Sequence, residues 1–337
     1  MRRAWMTAVM AALLGLGCSN AGDSRLLSVS GQGVFRGIIY FDLDGNRLFS
    51  PADDSVKNMK VRLVSLSGQD TVAIATSAVT GIFRVTGVPV GTYRVLLDTT
   101  PLADTAKIAQ QDSLQVTILP GDSATVVLGV GYPHVSIRAA RTTVPAGRRV
   151  FVEGIVLNAP FNFRDTTMHV QDTSGAIRAA RIVASPVVAA DSVRLRATTG
   201  TRNPGAERIL DVVTVFVVRP AFLPTAATIK TGQAAAAKLP AGPNGALHAQ
   251  QIQILNAPVT GVDSTSGPDY IMTVNDSTGS LDVVLDPQAD PAFKFPNRQP
   301  GLYNVPNKFD IVGLLVPSGT PGVWRLKPRS SAELVKR

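Results

Sequence analysis

Five oxygen-bearing side chains crowd into one short stretch. Asp42, Asp44, Asn46, Ser50 and Asp53 stand at relative positions 1, 3, 5, 9 and 12, and Leu48 can offer its carbonyl at position 7. That spacing lets a loop wrap hard oxygen ligands around Ca2+, so Ca2+ is the cofactor expected here. Two departures predict a weak site. Arg47 stands where Gly normally permits the sharp turn and adds positive charge, and Asp53 replaces a Glu whose longer arm would coordinate with both oxygens.

A second set of residues suits anions. Residues 132–222 hold 12 Arg and no Lys against 6 acidic residues, a net +6, whereas 18–131 carry −1 and 223–337 carry +2. Arg forks match phosphate and carboxylate. Alternation along a strand puts Arg194 and Arg196 on one face, opposite Val193 and Leu195, and places His169 and Gln171 opposite Met168 and Val170. With Arg178, these five residues form a candidate face for a polyanion, either single-stranded nucleic acid or an acidic glycan. Aromatic rings are scarce near it, which weakens base stacking.

Catalysis is not expected. The three histidines, His134, His169 and His248, fall in different segments without metal-ligand spacing, and His169 fits an exposed strand position. No Gly-x-Ser-x-Gly elbow and no phosphate-binding glycine loop is present. One Cys among 337 residues excludes a disulfide scaffold.

The elements that would hold these residues are strands. Short apolar runs at 61–66, 72–75, 82–85, 93–97, 114–119 and 124–130 recur about every ten residues between turn-forming clusters, the rhythm of a sandwich or barrel. Helical periodicity is confined to 103–111 and 231–239. The remainder repeats itself: His169-Val-Gln-Asp-Thr-Ser-Gly-Ala-Ile177 parallels Thr273-Val-Asn-Asp-Ser-Thr-Gly-Ser-Leu281, and Ile155-Val-Leu-Asn-Ala-Pro160 parallels Gln253-Ile-Leu-Asn-Ala-Pro258. Each copy offers five strands, with a tight hairpin between the second and third: 150–157, 167–171, 177–183, 192–197 and 208–218, then 247–255, 270–274, 281–285, 309–316 and 322–326. That is the plan of an OB-fold barrel. The second copy carries an insertion, 286–306, with five Pro and two Phe, suited to a lid or an interface.

Three resemblances sharpen this reading. Arg2, Arg3, the apolar run 8–16 and Gly17-Cys18 resemble a bacterial lipoprotein signal, although Leu14 lies one residue further from the Cys than the usual motif has it. The resemblance implies acylation of Cys18 and a membrane partner through the lipid; Ser19 behind it implies the outer membrane or cell surface. Gly37-Ile-Ile-Tyr-Phe-Asp-Leu-Asp-Gly-Asn46 and Gly81-Ile-Phe-Arg-Val-Thr-Gly-Val-Pro-Val-Gly-Thr-Tyr-Arg-Val95 are similar to the B-type domain of serine-aspartate-repeat surface proteins and to the prealbumin-like carboxypeptidase regulatory domain, both Ig-like sandwiches. The likeness extends to Gly45 and Pro51 in the acidic loop. No Lys–Asn crosslink is expected, since no Glu precedes Glu153 and 124–130 lack Asn. Val-Glu-Gly-Ile-Val, the Val-x-Asp-x-x-Gly hairpins and the closing Trp-Arg-Leu-Lys-Pro-Arg resemble OB-type domains of bacterial extracellular proteins.

The expected protein is therefore all-β. A lipoprotein signal (1–17) and a tether (18–32) lead to an Ig-like β-sandwich (33–131) and two OB-like five-stranded β-barrels (132–222 and 223–337). The expected function is non-catalytic binding or structural display in the cell envelope, with a surface protein or polyanion as partner and no small-molecule cofactor.

Overall fold

The computed structural model describes residues 31–67, 70–102, 107–108, 114–164, 167–180, 182, 186–202, 207–236, 247–264, 269–294, 301–318 and 323–337. The signal, Cys18 and nearly all of the tether lie outside the described residues. Among the described residues no helix is long and apolar enough to cross a membrane.

The chain is all-β. Its first part is a sandwich of two sheets. One holds β1 (Gln32–Asp42), with β2 (Asp54–Ser55) and β5 (Ile82–Pro89) along one side and β9 (Ser123–Gly131) along the other, and β7 (Lys107–Ile108) outside β9. The other runs β4 (Thr71–Thr76), β3 (Lys60–Ser65), β6 (Gly91–Leu97), β8 (Leu114–Ile118). Alternate residues such as Phe35, Ile39, Phe83, Leu63, Val95 and Ile118 point between the sheets and form one core. The helical stretch expected at 103–111 lies mostly outside the described residues, and within it 107–108 pair as strand β7.

The next strands, β10 (Arg149–Asn158), β11 (Met168–Asp172), β12 (Gly175–Ala180), β13 (Asp191–Arg202) and β14 (Glu207–Pro220), close into a barrel in the order β10-β11-β12-β14-β13. The third strand pairs with the fifth in parallel and the other pairs are antiparallel. After β15 (Ala227–Thr228), the same ring recurs in β16 (Gln251–Asp263), β17 (Tyr270–Asn275), β18 (Ser280–Leu285), β19 (Lys308–Pro317) and β20 (Trp324–Lys327), with β18 and β20 parallel and β16 paired to β19. A last strand, β21 (Leu334–Lys336), lies outside β19. This shared pairing order makes the two units OB-like barrels. From the insertion, Phe293 and Tyr303 enter the second barrel's core, where Tyr303 packs edge-on to Phe293 and tilted against Phe309.

A short helix stands before each barrel: α1 (Ile137–Thr142) and α2 (Thr231–Ala235). The repeated hairpins cap them from a distance. Ile137 N donates to Asp172 Oδ2 (2.9 Å) and Arg138 N to Ser174 Oγ (2.9 Å). In the second unit Thr231 N donates to Asp276 Oδ2 (3.2 Å) and Gly232 N to Thr278 Oγ1 (2.9 Å). First-turn amides have no partner within a helix, so the Asp-x-[Ser/Thr]-Gly repeat does two tasks: it turns the hairpin and satisfies those donors. The approach is close, and a Cβ on Gly232 would fall 2.3 Å from the Thr278 carbonyl oxygen.

Candidate functional site

The acidic loop leaves β1 at Asp42 and returns at β2. Carboxylate oxygens of Asp42, Asp44 and Asp53 lie within 4.8 Å of one another. The loop's own amides organise them: Gly45 N and Arg47 N donate to the two oxygens of Asp42 (2.7 and 2.9 Å), Asn46 N to Asp44 (2.9 Å), and Leu43 N and Ser50 N to Asp53 (3.0 and 2.8 Å). Burial and the neighbouring Asp44 carboxylate push the Asp42 carboxyl above its ordinary value, against the pull of the Arg47 and Gly45 amides. A divalent cation would relieve that crowding, and the carboxylate oxygens of Asp42, like Asp53 Oδ1, keep a lone pair beyond their amide bonds, whereas Asp53 Oδ2 is taken up by the amide and hydroxyl of Ser50. The donor set is all oxygen and fits Ca2+ rather than a thiolate- or imidazole-seeking metal. Arg47 makes the turn at φ +63° and Gly45 at φ +71°. The left-handed bend that Gly would favour is therefore formed by Arg47, at a cost of about 1 kcal/mol.

Two other residues of the proposed ligand set need adjustment. Asn46 Oδ1 accepts from Leu48 N (2.6 Å), and the Ser50 hydroxyl donates to Asp53 Oδ2 (3.0 Å).

The back of this loop docks on the first barrel. Arg196 Nη1 donates to the Leu43 carbonyl (3.1 Å) and Arg194 Nη1 to the Asp44 carbonyl (3.2 Å). Gly45 seats against the barrel; a Cβ there would lie 2.9 Å from Phe151 and from Arg194 Cδ. Arg194 Nε also holds Glu153 (2.7 Å), and Arg196 Nη2 holds Thr214 Oγ1 (2.9 Å). Beside them the His134 ring stacks on Phe151 at 5.1 Å. Burial, then the charges of Arg47 and Arg194, lower the His134 pKa, with Glu153 opposing them. Phe41, Tyr132 and Phe151 continue the contact as a chain of rings, and Arg149 lies over Tyr132. Clefts of about 520 and 410 Å3 flank this clamp.

The five residues read as a polyanion face thus fall into two groups. Arg194 and Arg196 do face outward from the barrel core, but the sandwich loop lies over them. His169 and Arg178 are buried, at 1% and 5% exposure, which corrects the expectation that His169 is exposed. Asn158 Oδ1 accepts from His169 N (2.9 Å) and lies 2.8 Å from His169 Nδ1. Arg178 Nη1 lies 3.5 Å from Glu207 Oε2. Gln171 is half-buried on the same strand. The physical reason is coverage by the neighbouring unit. Leu157, Phe163 and Ala176 of the first barrel share one buried cluster with Ala249, Leu314 and Val316 of the second. Strands β11 and β12, the face through which OB barrels commonly take ligands, are buried on both sides as a result.

Polar groups complete that second junction. Arg164 pairs with Asp269 and approaches Asp286, Arg329 Nη1 donates to the Leu157 carbonyl (2.7 Å), and Lys327 lies over the Phe163 ring at 5.1 Å. His248 of the second barrel reaches Glu207 of the first. Sequence reading missed this last pair. His248 and Glu207 lie far apart along the chain, and neither sits in a motif.

By its fold, the chain is an all-β protein with one sandwich and two OB-like barrels. No family model matches the sequence, and no curated protein matches it. Solved structures are similar only distantly. The minor pilin GBS52 of Streptococcus agalactiae is 14% identical over 35% of this chain at a TM-score of 0.26, and the matched part spans about half of that pilin (49%). A putative carbohydrate-binding protein (PA1324) of Pseudomonas aeruginosa is 19% identical over 30% of this chain and 89% of its own, at 0.21. The p204 HINb domain is 12% identical over 55% of this chain and 95% of its own, at 0.27. Likeness at this level says nothing about what this chain binds.

Proposed function

We propose that this chain is a non-catalytic module of the bacterial cell envelope, anchored through an acylated Cys18, in which the sandwich serves as a spacer and positions two barrels for contact with a surface partner. The observation that supports a positioning role is the clamp: consecutive loop carbonyls of Leu43 and Asp44 are gripped by Arg196 and Arg194 of the first barrel. A tethered domain with no such grip would be free to swing. In this reading Ca2+ is held by Asp42, Asp44, Asn46, the Leu48 carbonyl, Ser50 and Asp53, and it stiffens the loop on which the clamp closes. The ion supplies only electrostatic cross-linking of the loop; the chain's own arginines do the docking.

Thermal melting with added Ca2+ tests the loop: the expected result is a higher melting temperature at millimolar Ca2+, lost in Asp42→Asn. No rise at millimolar Ca2+ removes the metal from the proposal. Cell fractionation tests the anchor, since Cys18→Ala should leave the membrane fraction. Retention of the native protein on heparin or single-stranded DNA at low salt would instead favour a polyanion partner.

A further inference from the structure

Between the barrels lies an ionisable cluster that the docking role does not require. Glu207, at the start of β14, is 3% exposed, and His248, just before β16, is 1% exposed. Their contact crosses the junction, with His248 Nε2 3.2 Å from Glu207 Oε1. The other oxygen of Glu207 faces Arg178 Nη1 on β12 at 3.5 Å. Arg141 on α1 is the third charged group near the imidazole. From β20, the uncharged Trp324 ring meets His248 edge-on at 5.1 Å.

We propose that the Glu207–His248 contact is an acid-sensitive latch, which releases the second barrel from the first when His248 takes up a proton.

The geometry carries this in two ways. First, both ring nitrogens of His248 are buried without a hydrogen bond among the described residues, and Nε2 has only the 3.2 Å contact with Glu207 Oε1, so Nδ1 has no acceptor to offer a second proton. A second proton would create a buried N–H without an acceptor, a cost of about 1–3 kcal/mol for a neutral group and more for a charged one. Second, the Glu207 carboxylate already faces the Arg178 guanidinium, and the Arg141 charge lies close to the imidazole. A protonated imidazole would add a further positive charge in a place that water does not reach. Separation of the barrels removes both penalties by letting water solvate the ring.

The direction in pH follows. Burial lowers the His248 pKa below the ordinary 6.5, with Arg141 and Arg178 pulling the same way and Glu207 opposing them. In the separated state the solvated ring titrates near its ordinary value. The separated state therefore binds more protons at mildly acidic pH, and docking is weakened as pH falls below 6.5. For one proton the loss approaches about tenfold in the docking equilibrium per pH unit, until the docked value is reached. Asp269, across the same junction, has a carboxyl raised by burial, so its own protonation favours the docked state and works against the latch.

The test is small-angle scattering of the full chain between pH 7.5 and 5.5, with amide exchange on β14 and β16 recorded in parallel. Amide exchange on β14 and β16 of the native protein should quicken about tenfold by pH 5.5, and scattering should show expansion only where the open form becomes populated. His248→Gln keeps a donor toward Glu207 and cannot gain a charge, so it should stay docked across the range. His134→Gln and His169→Gln should open like the native chain. Identical pH profiles for native and His248→Gln proteins would overturn the latch. Should His248→Gln be undocked already at pH 7.5, imidazole titration of the native chain decides: a value below 6.5 with amide exchange on β14 and β16 quickening over the same range supports the latch, and a value at or above 6.5 refutes it.

Discussion

The first barrel meets the sandwich through side chains that reach backbone carbonyls, and it meets the second barrel through side chains that leave water altogether. At the first junction the contacts of Arg194 and Arg196 are part-buried and flanked by open clefts. At the second, Leu157, Phe163, Ala249 and Leu314 are fully buried together. Removing apolar area from water stabilises without regard to angle, whereas a charged hydrogen bond in contact with water nets little and demands geometry. The second junction should therefore supply most of the cohesion, and the first should set orientation.

The sharpest way to break that contrast is Phe163→Ala. The ring is wholly buried in the barrel–barrel cluster, so its loss should cost about 3–5 kcal/mol and release the second barrel. Denaturant unfolding with scattering would register it. A loss under about 1 kcal/mol would mean that the apolar cluster is not what joins the barrels.

Gly45→Val attacks the other junction. The residue combines φ +71° with a Cβ position 2.9 Å from Phe151 and Arg194 Cδ, so the branched side chain meets both strain and collision. About 2–3 kcal/mol of loss is expected, confined to the sandwich–barrel contact. Amide exchange should rise in the loop after β1 while β16 to β20 remain protected.

The double substitution Arg194→Ala/Arg196→Ala should be milder. Two bonds across the junction and two within the barrel, to Glu153 and Thr214, are lost, but all are exposed or part-buried and water can replace them, so about 1–2 kcal/mol is expected. Scattering should show a wider spread of sandwich–barrel angles with little change in melting. A cost equal to that of Phe163→Ala would erase the distinction between the junctions.

The same contrast explains what could be read before folding. Strand runs and the repeat were legible because alternation and turn residues are local: 93–97 and 270–274 fall within β6 (Gly91–Leu97) and β17 (Tyr270–Asn275). The barrel plan followed from the repeat. The gathering of Asp42, Asp44 and Asp53 was legible because they lie within twelve residues of one another. Burial of His169 and Arg178 was not, because alternation reports which face a residue takes but not what later covers that face. Strand β16 begins at Gln251 and shifts register between Ile254 and Ala257, so the reading at 247–255 caught its first part only. Helix α1 escaped notice, whereas the shorter α2 fell inside the stretch 231–239 read as helical. Besides the local N-cap Ser136, the first two amides of α1 are taken by Asp172 and Ser174, some 35 residues away in sequence.

The matching cap of α2, Asp276, supplies the smallest test, and one that separates the second barrel from its junctions. Asp276 accepts from Thr231 and Thr278 through both backbone and hydroxyl donors. Burial alone would raise its pKa, but these four bonds outweigh it and hold the carboxyl at about 2. A depressed carboxyl contributes its stability fully above the ordinary 3.8 and loses it as pH falls toward 2. Asp276→Asn keeps the shape and removes the charge, so at pH 6 it should cost about 1 kcal/mol, the usual worth of a helix cap. The gap between native and variant melting temperatures should then close between pH 4 and pH 2, because the native carboxylate is neutralised in that window. The sandwich–barrel clefts and the Phe163 cluster should be unchanged. A gap that persists at pH 2 would show that the amide in Asp276→Asn disturbs packing, and that the repeated Asp serves the hairpin rather than the helix.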